Sequence, residues 1–267
     1  MSMIDSDARM IVVTGAAGGI GAAVAAELAP GARVLALWDR DPRVHEVAAE
    51  IKTRTTGSVQ AAEVDVSDAR AVADAFDDLV AACGPADVVV HAAGALFPGS
   101  PLEVDPESWA RCLAVNATGV VNVTQRAARE MVAAGRGAMV VVSSNAAATP
   151  RVGMAAYGAA KAAATAFTRS LALQVAPFGV RVNLVSPGST DTAMLRGMFD
   201  ATAPPLDAAA RTALLDGDPE VYRLGIPLRR IATPADIAAA VRFLASADAR
   251  HITMHDLRVD GGATLDM

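Results

Sequence analysis

The chain has 267 residues, of which 53% are hydrophobic, 19% charged and 4% aromatic, with a formal charge of −6 at neutral pH. That apolar content argues against disorder, and the dominance of alanine and valine argues against an aromatic-rich β-sandwich. The acidic balance leaves no basic cluster for a nucleic acid, and no uncharged apolar run is long enough to span a membrane.

In chain order, short β-rich runs alternate with alanine-rich helical stretches. Strands are expected at residues 10–14, 33–38, 59–64, 87–91, 138–143, 180–186 and 256–259. Most are continuous apolar runs of four to six residues, the pattern of parallel strands covered on both faces. The alternation predicts an α/β fold: one Rossmann-type domain, with a doubly wound seven-stranded parallel sheet and helices on both faces. Long helices are expected near residues 109–132 and 154–175. One region breaks the rhythm. Residues 190–230 carry Pro204, Pro205, Pro219 and Pro227 with only short helical pieces, and a long irregular excursion in a compact domain is expected to be a substrate lid.

The opening segment, MSMIDSDARM, is polar and acidic, unlike a secretory signal. Cys83 and Cys112 belong to no CxxC or Cys/His cluster, so reduced thiols, a cytoplasmic location and no metal site are expected.

The first strand runs into VVTGAAGGIGAAVA, where Gly15, Gly19 and Gly21, with Ile20 among them, form a TGxxxGxG turn. Glycines there let backbone N–H groups approach a pyrophosphate, and the following helix adds its positive end. The second strand ends at Asp39, 24 residues after Gly15. A carboxylate at that place accepts hydrogen bonds from ribose hydroxyls and repels a 2′-phosphate, which favours NAD over NADP, although Arg40 follows it. Asp65 with Val66, and His91 to Gly94 with Ala93, stand at the ends of the third and fourth strands, the edge where open α/β sheets bind ligands. Farther on, Ser144 ends a strand, and AAYGAAKAAA puts Tyr157 and Lys161 one helical turn apart on one face.

Together, TGxxxGxG, Ser144 and YxxxK resemble the short-chain dehydrogenase/reductase family over essentially the whole chain. The resemblance implies Tyr157 as general base, Lys161 lowering the phenol pKa and holding the nicotinamide ribose, and Ser144 holding the reacting oxygen. Asn116 in VNATG would support a proton-relay water. Pro187, Gly188, Thr190 and Thr192 in SPGSTDT would hold the nicotinamide carboxamide. Where the family often shows NNAG, this chain has HAAG, and His91 is expected to be structural.

A closer likeness, carried by TPRVGMAAYGAAKAA, VSPGSTDTAML, LGIPLRRIATPADIAAAVRFLAS and HITMHDLRVDGGATL, is to the branch of that family that oxidises 2,3-dihydro-2,3-dihydroxybenzoate for siderophores. It implies a ring carboxylate as substrate and a homotetramer. A buried carboxylate needs a cationic partner. Arg151 is nominated, with Arg196 and Arg223 as rivals, and Met154 and Met194 as ring contacts. The 2-amino analogue of the substrate, a 3-oxoacyl substrate, and a non-catalytic NAD-binding sensor remain alternatives.

Overall fold

A computed structural model of the chain describes residues 9–199 and 206–265. The elements run β1 (Arg9–Thr14), α1 (Gly19–Leu28), β2 (Ala32–Asp39), α2 (Val44–Lys52), β3 (Ser58–Glu63), α3 (Ala69–Cys83) and β4 (Val88–His91). Then come α4 (Pro106–Leu113), a π-helical turn (Ala114–Thr118), α5 (Gly119–Ala134), β5 (Gly137–Val142), α6 (Ala155–Val175) and β6 (Val180–Pro187). The chain continues through α7 (Ala193–Gly197), α8 (Ala208–Asp216), β7 (Gly217–Asp218), β8 (Arg223–Leu224), α9 (Pro234–Ala245) and β9 (Asp256–Val259).

Seven parallel strands form one sheet in the order β3-β2-β1-β4-β5-β6-β9. The order reverses direction at β1, so the crevice beyond the C-terminal ends of β1 and β4 is the ligand-binding place of such a sheet. The central strands β1, β4 and β5 are mainly apolar because both faces are covered, and alternate residues serve opposite layers. Ile11, Val13, Leu35, Leu37 and Val90 pack with Val24 of α1 and Val241 of α9. Met10, Val12, Val34, Ala36 and Val89 pack with Phe76 of α3 and Val123 of α5. Trp38 meets Phe76 edge to face, with centroids 4.7 Å apart, a geometry that contributes about 1 kcal/mol beyond burial.

Every expected strand is present, with ends displaced by at most one or two residues. The excursion also appears, built from the short α7 and α8 and the antiparallel β7–β8 hairpin. It has a small apolar centre of its own in Leu195, Leu206, Ala210 and Leu214. Pro204 and Pro205, which contributed to that expectation, lie outside the described residues. Among the described residues no helix is long and apolar enough to cross a membrane, and no cluster of His, Cys, Asp and Glu could hold a metal ion.

Candidate active site

The glycine turn between β1 and α1 is tight for steric reasons. A Cβ on Gly15, whose φ is +71°, would stand 2.6 Å from the Ala93 nitrogen, and one on Gly21 would stand 2.0 Å from the Gly15 carbonyl oxygen. Ala93 therefore flanks the turn from β4. The Asp39 carboxylate anchors the same turn, accepting from the Ala17 N–H (2.9 Å) and the Asp41 N–H (3.0 Å). Each of its oxygens keeps acceptor capacity for a ribose hydroxyl. Gly19 lies against the Thr192 side chain, which would be 3.4 Å from a Cβ there, so the first glycine turn and the start of α7 close on one another. Thr192 caps α7, accepting from the Leu195 N–H (3.3 Å). Asp65 is spent on its own turn, accepting from Ser67 N–H (2.8 Å) and Oγ–H (2.6 Å), while buried Val66 packs on Gly119. A glycine turn without room for side chains, a carboxylate beside it and a helix start behind it fit a dinucleotide.

Ser144 follows β5, and Tyr157 and Lys161 lie in α6, whose alanine-rich face packs closely enough to bury both. A hydrogen bond joins Ser144 to the Tyr157 phenol. The neighbouring Ser143 is engaged elsewhere, its hydroxyl 2.8 Å from that of Thr165. Lys161 Nζ donates to the Val142 carbonyl (2.9 Å) and stands 5.8 Å from the centroid of the tyrosine ring.

The electrostatics depart from expectation. Burial pushes the Tyr157 phenol up to about 12, and the Ser144 hydrogen bond offsets only part of that. The ammonium lies over the ring and spends a proton on a carbonyl, and burial pushes Lys161 itself down to about 8.

Asn116 sits in the π turn and does not line the catalytic cavity. Its Nδ2 donates to the Ala95 carbonyl (2.7 Å) and the Cys112 carbonyl (3.1 Å), and its Oδ1 accepts from Ala95 N–H (3.2 Å). The amide thereby clasps the chain just past Gly94, where a Cβ would come 3.1 Å from Asn116 Oδ1 and 3.4 Å from Lys161 Nζ. His91 is fully buried, with Nδ1 3.0 Å from Thr14 Oγ1, and burial holds its pKa down to about 3. It is a neutral tie between β4 and β1, in keeping with the structural role expected. Cys112 is buried, whereas Cys83 is partly exposed.

A cavity of about 230 Å³ opens in front of Ser144, Tyr157 and Lys161. Ile20, Pro187, Gly188, Thr190 and Thr192 line it, as do Met154 and Met194. Gly188 is required by the approach of the C-terminal segment, since a Cβ would stand 2.5 Å from the Asp260 Cβ. The arginine candidates separate. Arg196 is not on the wall; its Nη1 pairs with Asp191 (2.6 Å). Arg151 and Arg223 both line the cavity. Sequence reading did not find Leu96, Ser189, Ile226 or Ala263 on the same wall, and single apolar or small residues distant in the chain carry no signal that could have revealed them.

A family profile described as Enoyl-(Acyl carrier protein) reductase matches residues 15–264. The 2,3-dihydro-2,3-dihydroxybenzoate dehydrogenase of Bacillus subtilis (strain 168) is 40% identical over 260 residues, covering 97% of each chain. The protein of the same description from Escherichia coli (strain K12) is 39% identical, covering 98% of this chain and 99% of its own length. The solved structure of a 7α-hydroxysteroid dehydrogenase complexed with NADH and 7-oxo glycochenodeoxycholic acid superposes with a TM-score of 0.86 at 25% identity, covering 98% of this chain and 97% of the other.

Proposed function

The chain belongs to the short-chain dehydrogenase/reductase family, and we propose that it oxidises 2,3-dihydro-2,3-dihydroxybenzoate to the catechol 2,3-dihydroxybenzoate with NAD, as a step of siderophore-type biosynthesis. The observation that carries this reading is one cavity lined both by the Ser144–Tyr157–Lys161 set and by Arg151 and Arg223, neither of which pairs with a carboxylate among the described residues. A ring bearing both a hydroxyl and a carboxylate matches both groups at once.

Ser144 hydrogen-bonds the substrate C3 oxygen and holds it beside the Tyr157 phenol. Tyr157 takes the hydroxyl proton as the C3–H bond breaks. NAD, held by the glycine turn and Asp39, would supply the hydride acceptor and a positive charge that favours the phenolate. The ketone left at C3 then loses the C2 proton and gains one on oxygen, and aromatisation makes the sequence strongly downhill. Lys161 holds the nicotinamide ribose, and Asn116, by clasping Ala95, fixes the chain that passes in front of Lys161. The excursion at 190–230 serves as the substrate lid, Met154 and Met194 pack on the ring, and the chain works as a cytoplasmic homotetramer. Trp109, Leu173 and Phe178, large apolar side chains exposed on or just after the long helices, support that assembly.

Purified protein given NAD and 2,3-dihydro-2,3-dihydroxybenzoate is expected to form NADH and the catechol in equal amounts. Turnover of the 2-amino analogue alone would retain the chemistry and overturn the substrate.

Asp39→Asn tests the cofactor choice. It keeps an acceptor for the backbone and removes the negative charge, so the preference for NAD over NADP should fall by about 10-fold or more, the scale of one charge–phosphate repulsion near a surface. An unchanged ratio of kcat/KM for the two dinucleotides would show that Asp39 does not select.

A further inference from the structure

The cavity wall carries two guanidinium groups from distant parts of the chain. Arg151 comes from the loop before α6, and Arg223 from β8 of the excursion's hairpin. Arg223 Nη2 donates to Ser189 Oγ (2.9 Å), and among the described residues no carboxylate lies within salt-bridge distance of either arginine. Every other arginine candidate for the cavity is accounted for, Arg196 being paired with Asp191.

Two half-buried cations in one cavity are costly together. Burial disfavours the charge on both, and Arg151 disfavours the charge on Arg223 as well; Asp260 and Asp218 act on them only at longer range. The fold nevertheless holds them there. Tyr222, just before Arg223, has φ of +54°, an uncommon backbone for a bulky residue, and its own side chain is 91% exposed. Packing of the tyrosine ring does not explain that backbone. The turn it makes sends Arg223 inward.

We propose that Arg151 and Arg223 are a two-armed clamp for the substrate carboxylate, and that an anion bridging them draws the Gly217–Leu224 hairpin onto the cavity. The clamp rests on the reading of the substrate as a ring carboxylate. It also sets which hydroxyl reacts. With the carboxylate held by the two arginines and an oxygen held by Ser144 and Tyr157, the ring presents C3, two carbons from the clamped position, rather than C2. Arg223 is thus a specificity-determining residue on the hairpin, and Arg151 its counterpart from the loop before α6.

The test compares the carboxylate dihydrodiol with the carboxyl-free cyclohexadiene diol, using the intact protein with saturating NAD. Arg223→Gln and Arg151→Gln should each raise KM for the carboxylate substrate about 10- to 100-fold, the scale of a charge-assisted hydrogen bond, and change the carboxyl-free diol by less than about threefold. Arg223→Lys should restore most of the loss. Fluorescence titration of the NADH complex with benzoate is read in parallel, and NADH affinity itself should not move, which shows that the variants fold. If Arg223→Gln leaves the carboxylate KM within about twofold, or slows both diols equally, the clamp is wrong even though the substrate reading stands. If the wild-type protein leaves the dihydrodiol untouched but binds benzoate only when Arg223 is present, the clamp stands and the substrate reading falls. Benzoate binding indifferent to both arginines removes the clamp whatever the substrate.

Discussion

Tyr157→Phe is expected to lower turnover by about 10³-fold while dinucleotide affinity stays at the wild-type level, the scale of a lost general base. The substitution removes one oxygen from a residue that is 8% exposed and leaves its ring packed against Cys112 and Ala160. The fold therefore has no reason to change, and the loss reports the proton transfer alone. The wild-type pH profile should carry the signature of a base that holds its proton firmly. Burial pushes the phenol up to about 12, so the phenolate is scarce at neutral pH and kcat/KM for oxidation should climb towards alkaline pH. In Tyr157→Phe that climb should vanish. Steady-state rates across the pH range, with NADH binding followed by fluorescence, check both statements. A variant that keeps more than about a tenth of the wild-type turnover would remove Tyr157 from the chemistry.

Lys161→Met should cost about as much activity and yet make the protein more stable. The ammonium is buried at 3% exposure, and burial takes it from its ordinary value of 10.5 down to about 8. Such a fall corresponds to ~3 kcal/mol of destabilisation at most. Against that stands the hydrogen bond to the Val142 carbonyl, whose loss costs about 1–2 kcal/mol. The balance favours methionine by about 1 kcal/mol, a rise of a few degrees in Tm. The sign follows from the lowered value. Below about pH 8 the lysine is charged in both states and the burial penalty is fully present. Between about 8 and 10.5 the folded protein loses the proton while the unfolded chain keeps it, so wild-type stability rises with pH across that window. The advantage of Lys161→Met should then shrink as pH rises. Thermal unfolding at pH 7 and near pH 10 reads this directly. A variant less stable than wild type at pH 7, by an amount that does not vary with pH, would mean that the lysine is welcome in the fold and that burial does not disfavour its charge.

These two residues also mark the boundary between what was written locally and what was assembled. Strand positions and the glycine turn follow from runs of apolar residues and from steric demands within a few positions. Periodicity and backbone clashes are local, so a linear reading captures them. The four-residue spacing of Tyr157 and Lys161 likewise put them on one helix face before any tertiary contact was known. Ser144 could be singled out for its place at a strand end. Three matters needed the folded chain. The direction of the Tyr157 shift was one, because the phenol's environment sums burial from several elements and the lysine turned out to serve a carbonyl. The work of Asn116 was another, because its partner Ala95 belongs to a different loop, 21 residues away. The arginines were the third. Arg151, Arg196 and Arg223 read alike in sequence, and only the tertiary structure gave one of them to Asp191 and turned the other two into the cavity. A charge declares its function by what stands opposite it, and that is decided by residues far along the chain.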